Sequence, residues 1–230
     1  MEGCASVAAP QLRGMELEAE KAMAAQQIAA QDFDYRGQVG SLQYLVRGAR
    51  PDIANAVREL SKYLSCYNKT HWVAARGVLK YLKGTSTYGL LLDGNSRTVT
   101  YEVYTDASFA CQTKERKSLT GYVISMAGSS VAWCSSKQGS ISLSTAEADL
   151  IALSEGAKES EWLWYLLREM GFPQGKPAVI STVKNPGNHK ATKHIEIRFL
   201  FTRDLVEEGR LEIQYCSTSD MAADANRTVH

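Results

Sequence analysis

The spacing of apolar positions changes character along this chain. From Tyr35 to about Gly84 they recur at helical intervals: Val39, Leu42 and Leu45 first, then Ile53, Val57, Leu60 and Leu64, then Trp72, Ala75, Val78, Leu79 and Leu82. Pro51 suits the first turn of the second run, where its missing N–H has no helical partner to lose, and Gly84 is a helix stop. Three short amphipathic helices with brief connections predict a small bundle.

After Gly84 the period shortens toward two. Tyr88–Asp93, Val99–Ser108, Ser118–Ala127 and Val131–Gln138 read as strands, divided by Asp93-Gly94-Asn95 and Ala127-Gly128-Ser129 turn signals. Ser144 to Met170 predicts one long helix, capped by Ser144 or Thr145, with Leu163, Leu166, Leu167 and Met170 facing inward and Gly171 and Pro173 ending it. A strand Ala178–Val183, a helix Ala191–Glu208, a strand Leu211–Cys216 and a helical piece from Asp220 follow. The sum is an α/β fold: a mixed sheet of three antiparallel strands, helix, strand, helix, strand, preceded by a helical bundle. Residues 1–34 are rich in Ala, Gln and Glu, and a helix predicted over Met15–Ala30 has little but alanine to bury, so a loosely attached segment is expected. Three parts are expected: 1–34, 35–95 and 96–230.

Composition narrows the picture modestly. The net charge of +1 neither demands nor excludes a nucleic-acid partner, so the distribution of charge decides. Five scattered cysteines with no Cys-x-x-Cys pair point to reduced thiols rather than disulfides or zinc. No apolar run approaches the ~20 residues of a membrane span and no secretory signal is visible, so an intracellular protein of the cytoplasm or nucleus, without a membrane partner, is expected.

The candidate chemistry lies in acids at the ends of elements. Asp106 closes a strand, Glu147 and Asp149 open the long helix, and Asp224 follows the last strand. Carboxylates converging from separate elements are what divalent cations need in order to cut a phosphodiester. Residues i and i+2 of a helix point about 200° apart, so only one of Glu147 and Asp149 can face such a site. The plainer alternatives are a turn-capping Asp106, a helix-end role for Glu147 and Asp149, and a solvated Asp224. Lys69, Arg76, Lys80 and Lys83 fall on one side of the third helix and could line a phosphate backbone, or form its solvated face. A second basic group gathers Lys184, His189, Lys190, Lys193, His194, Arg198 and Arg203.

The wording of these segments is more specific than their chemistry. Tyr101-Glu-Val-Tyr-Thr-Asp-Ala-Ser, Arg116-Lys-Ser-Leu-Thr-Gly-Tyr-Val, Ala132-Trp-Cys-Ser-Ser-Lys-Gln, Leu143-Ser-Thr-Ala-Glu-Ala-Asp and Lys193-His-Ile resemble, in this order, the ribonuclease H domain of copia-type LTR-retrotransposon polyproteins. The helical part, from Tyr35-Arg-Gly-Gln through Arg50-Pro-Asp-Ile to Lys83-Gly-Thr, resembles the thumb or connection segment after the reverse-transcriptase palm. The resemblance implies a ribonuclease H-like sheet and cleavage of RNA in RNA/DNA hybrids with Mg²⁺, or Mn²⁺ in its place. Asp106, Asp149 and Asp224 would be metal ligands, and Glu147 the competing acid on the helix. The implied partners are the hybrid, or other nucleic acid, and the rest of the reverse transcriptase, in a virus-like particle. Lys69, Arg76, Lys80, Lys83, Lys190, Lys193 and His194 are the implied nucleic-acid contacts. The polymerase's Asp-Asp hairpin is absent, so no polymerisation is expected. An integrase-type relative of the same fold fits less well, because the Arg-Lys-Ser-x-x-Gly-Tyr and Lys-His-Ile segments point to ribonuclease H.

The chain also departs from that pattern. Aspartate stands at 149 where the family usually has glutamate, and Ala225-Asn-Arg-Thr-Val-His replaces the usual continuation after Asp224. No acidic residue occurs between Glu169 and Glu196. By the resemblance, a stretch near 180–181 that carries a central strand carboxylate is missing. Weak or absent cleavage by a decayed copy is therefore expected, the alternative being a non-enzymatic nucleic-acid-binding remnant or domesticated module.

Overall fold

A computed structural model describes residues 5–10, 17, 32–93, 99–110, 116–182 and 193–217. The chain divides into two compact units, one ending at Leu90 and the other beginning at Leu91.

In the helical unit, α1 (Tyr35–Gly48) begins with the Asp34 side chain accepting from the Gly37 N–H. A 3₁₀ turn at Pro51–Ile53 leads into α2 (Ala54–Ser61), and α3 (Lys69–Gly84) opens with a reciprocal cap between Asn68 and His71. Tyr35, Val39, Leu42, Ile53, Val57, Leu60, Ala75, Val78 and Tyr81 form its core. The buried stripe of α3 runs through His71, Ala75, Val78 and Tyr81, a correction to the predicted stripe, of which Trp72, Leu79 and Leu82 are only partly buried. The buried Tyr35 ring finds a partner for its polar atom, its hydroxyl donating to the Leu60 carbonyl at 2.8 Å. Of the segment expected to be loosely attached, Val7, Leu17 and Phe33 pack against this core, and the Tyr63 hydroxyl donates to the Leu17 carbonyl. The rest of the helix predicted over Met15–Ala30 lies outside the described residues, as does the helical piece after Asp220.

The second unit is built on a five-stranded sheet, β1 (Tyr101–Ser108), β2 (Leu119–Met126), β3 (Ser129–Lys137), β4 (Ala178–Thr182) and β5 (Leu211–Tyr215), in the spatial order β3-β2-β1-β4-β5. The first three strands pair antiparallel, and β4 and β5 join in parallel after α4 (Thr145–Glu169) and α5 (Lys193–Glu207) respectively. That is the ribonuclease H-like order expected from the sequence. Ala127 and Gly128, both with positive φ, make the two-residue turn between β2 and β3. Tyr88–Asp93, predicted as a strand, is not one: it pairs with none of the described strands, and Leu91 and Leu92 are exposed.

Tyr101, Val103, Ile124, Ile180 and Leu211 from the sheet meet Leu150, Leu153, Leu163 and Leu167 of α4 and Leu205 of α5 in one core. Each such side chain contributes about 1.5–3 kcal/mol by leaving water. Gly156 allows the close approach: a β-carbon there would collide with the Thr105 methyl. The helix stops at Gly171, whose φ of +88° no β-carbon opposes, with Gly171 N–H donating to the Arg168 carbonyl and Phe172 N–H to Leu167. Met170, predicted to face inward, is the cap of this motif and is 60 % exposed, because the chain has already left the helical path there.

Candidate metal and nucleic-acid site

The crossing of α4 over the sheet decides which acids meet. The Tyr101 hydroxyl donates to the Ser160 carbonyl at 2.9 Å, and Gly156 lies against Val103 and Thr105. Moving down the helix from Ser160 to Gly156 therefore moves up β1 from Tyr101 to Thr105, so the two run antiparallel. Asp149 lies two turns before Gly156, about 10.5 Å of helix or about three strand residues further along. This places it at the end of β1 that holds Asp106.

Hydrogen bonds at that end agree. The buried Gln138 carboxamide donates to the Ala148 carbonyl at 2.9 Å and to Thr120 Oγ1 at 3.0 Å. Thr120 is the β2 partner of Ala107, and Gly121 that of Asp106. The peptide joining Ala148 to Asp149 is thus tied to the strand pair carrying Asp106.

Asp106 is half-buried and follows Thr105, which pairs with Thr182 of β4. Thr105 points under α4, so Asp106, next in the strand, points to the other face. A cation serving both acids would have to lie at the rim beyond the strand end. Asp149 is 7 % exposed and Glu147 8 %. Glu147 acts locally, its Oε2 accepting from the Leu143 N–H at 2.7 Å while its own N–H donates to the Ser144 hydroxyl at 3.1 Å. That reciprocal arrangement caps the helix. Among the described residues no group of three or more His, Cys, Asp or Glu is placed to hold a metal ion. Asp224 lies outside the described residues.

The basic candidates divide. Lys69, Arg76 and Lys83 are exposed and Lys80 is half-buried on the outer side of α3. Lys193 and His194 begin α5, while Lys190, Lys184 and His189 lie outside the described residues. Arg198, read from the sequence as part of a basic cluster, instead pairs with Glu155 of α4 at 2.8 Å and staples the two helices together. Burial alone would raise the Glu155 carboxyl, but Lys158 and Arg198 outweigh it and hold the group below the usual carboxylate range. Arg203 pairs with Glu207 at 3.2 Å along its own helix. Sequence pattern had no means of identifying these paired cations, since their partners come from another element or another turn.

No family model matches the chain. Over 197 residues it is 38% identical to the retrovirus-related Pol polyprotein of transposon TNT 1-94 from Nicotiana tabacum, a match covering 83% of this chain and 15% of that polyprotein. Over 83% of its length the chain is homologous to copia-type retrovirus-related Pol polyproteins. It spans about one seventh of the length of that Pol relative. The chain is also 40% identical over 129 residues to secreted RxLR effector protein 161 of Plasmopara viticola, covering 56% of this chain and 90% of that one. The N-terminal ribonuclease H domain of rv2228c from Mycobacterium tuberculosis aligns over 56% of this chain and 91% of that one, with a TM-score of 0.40 and 14% identity. Likeness at that level adds nothing to the strand order already described. Among the described residues no helix is long and apolar enough to cross a membrane, and Cys66 and Cys134 are free thiols.

Proposed function

We propose that the sheet unit is a ribonuclease H module of a transposon polyprotein, directed at the RNA strand of RNA/DNA hybrids and weak in catalysis, and that the helical unit is a thumb-like segment gripping duplex. The observation that carries this reading is the shared placement of Asp106 and Asp149 at one end of the sheet, built by a strand and a helix that run antiparallel.

Two carboxylates suit a Mg²⁺ ion that keeps several waters and takes its remaining ligands from a substrate phosphate. Asp106 and Asp149 would hold it, and Mn²⁺ equally, with Asp224 as a further candidate ligand. When bound, the ion supplies positive charge against the phosphate being cut. Without it the two acids repel a phosphate backbone, so nucleic acid and cation should bind together. Glu147, engaged as the helix cap, shapes the site by fixing the first turn of α4.

Weakness follows from the donor set. No acid occurs between Glu169 and Glu196, and the strand beside β1 brings Thr182 alongside Thr105. Two cations held in tandem need more oxygen ligands than two aspartates offer. The test is hydrolysis of a labelled RNA/DNA hybrid by the full chain in Mg²⁺ or Mn²⁺. Slow, metal-dependent cleavage lost in Asp106→Asn is expected; cleavage that survives the substitution would overturn the assignment.

A second reading, a nucleic-acid-binding module without cleavage, is favoured by the exposed cations of α3. Hybrid binding that depends on Lys80 and Lys83, with no cleavage under any metal, would establish it.

A further inference from the structure

We propose that Gln138 is the positioning residue of the carboxylate site, holding Asp149 in register with Asp106. The inference rests on the metal-site reading above and concerns a residue that contributes no ligand.

Both amide hydrogens and the oxygen of this side chain are engaged at one junction. Its two amide hydrogens go to the Ala148 carbonyl at 2.9 Å and Thr120 Oγ1 at 3.0 Å, and its carbonyl accepts from the Ser142 hydroxyl at 2.8 Å. Gln138 and Ser142 are both more than nine-tenths buried. These three partners fix the amide orientation, because reversing it would set the Gln138 oxygen against the Ala148 oxygen. Its backbone is held too, the Gln138 N–H donating to the Ser118 carbonyl at 2.9 Å and so extending the β2–β3 ladder by one step. The clamp therefore starts from the sheet rather than from a loop.

Both ends of the clamp lie one residue from a proposed ligand. Ala148 precedes Asp149, and Thr120 faces Ala107, which follows Asp106. Asp149 enters the site on a helix and Asp106 on a strand, so their relative placement depends on whatever fixes α4 along the sheet axis. Far from the site the Tyr101–Ser160 bond does this. Near it, the Gln138 carboxamide bridges the two elements directly. A cation shared by two aspartates tolerates only about 0.5 Å of ligand displacement, so a slack first turn of α4 lowers metal affinity before it unfolds anything. Outer-shell groups of this kind typically change metal affinity by about 10- to 100-fold when removed.

The experiment compares the full chain with Gln138→Leu, Tyr101→Phe and Asp149→Asn, titrating Mn²⁺ by electron paramagnetic resonance of the free ion and following thermal unfolding by circular dichroism. Gln138→Leu keeps the volume and removes every side-chain bond; it is expected to weaken Mn²⁺ binding roughly tenfold or more. Tyr101→Phe cuts the other tie of the same helix to the sheet. It is expected to lower the unfolding midpoint while leaving Mn²⁺ binding as in the parent chain. Asp149→Asn is expected to abolish site-specific binding. Should Gln138→Leu fail to fold, Ser142→Ala, which frees only the carboxamide orientation, decides instead by a smaller loss in the same direction. Parent-like Mn²⁺ affinity in the folded Gln138 or Ser142 variant overturns the inference and leaves the metal site standing. Equal weakening in Tyr101→Phe also overturns it, making Gln138 one general brace among others. Absence of any Mn²⁺ binding sensitive to Asp149→Asn overturns the metal site and this inference together.

Discussion

Both units bury charge, and they do so in opposite ways. In the helical unit Arg50 is enclosed by its partners: Nε and Nη2 donate to the two Asp52 oxygens at 2.9 and 2.6 Å, Nη1 to the Thr85 carbonyl at 2.9 Å, and the guanidinium lies 5.7 Å from the centre of the Tyr81 ring. In the sheet unit, among the described residues, the buried charges at the strand end are of one sign, Glu147 and Asp149, with Asp106 half-buried nearby. A cation surrounded by an anion, carbonyl and ring ties the third helix to the loop before the second. Of the acids, Glu147 accepts from the Leu143 N–H at 2.7 Å as part of the helix cap, and Asp106 and Asp149 form the proposed site. The contrast is between a buried charge paired within the fold and the acids of the proposed site.

The sharpest way to break that contrast is Arg50→Leu. It leaves Asp52 buried without its partner, and loss of one member of a buried pair costs about 3–5 kcal/mol. Urea unfolding of the variant should lose the helical transition first, while the sheet unit's transition keeps its midpoint. A single coincident loss of both would mean that the units do not unfold separately.

Gly156→Ala probes the second unit's packing at the crossing that sets the site. The added methyl meets Thr105, and overpacking of this kind costs about 1–3 kcal/mol. Thr105→Ser in the same chain should recover part of that loss, because it removes the opposing methyl. Additive losses in the double variant would show that the contact is relieved elsewhere.

A smaller effect should appear in both units at alkaline pH. Burial raises the phenols of Tyr81 and Tyr104 to about 12 and pushes Tyr35 and Tyr122 higher still. A folded value above the unfolded one, about 10, means that the stabilisation is complete below pH 10 and is lost as the pH rises through the folded values. Absorbance at 295 nm and circular dichroism followed together from about pH 9 upward should change in step in that range. Phenolate formation well before any loss of helix would contradict the burial described.

The smallest effect concerns the outer face of α3. If Lys80 and Lys83 each neutralise a phosphate, replacing both by Gln should flatten the slope of log affinity against log salt by up to about two, at about 0.9 per phosphate for duplex DNA. An unchanged slope would make the face simply solvated, and the thumb-like reading of the helical unit would lose its physical support.

Much of this fold is legible in the chain. The 3.6 and 2.0 periods locate the described helices and strands from Tyr35 onward, and they fail at Tyr88–Asp93, whose apolar run is too short to distinguish a strand from an exposed connection. Ser144 as the cap and Gly171 as the stop of the long helix follow from local chemistry alone. Local pattern also nominates Asp106, Glu147 and Asp149, because carboxylates at element ends are visible one at a time. What it does not contain is direction across space. That α4 runs antiparallel to β1, that Glu147 spends its carboxylate on Leu143, that Arg198 is taken by Glu155 and that Gln138 reaches Ala148 all depend on residues brought together by packing. Hydrophobic periodicity is a property of neighbours along the chain and specifies which face turns inward. Which charges meet, and which of them are left to hold a ligand, is set only when those faces close on one another.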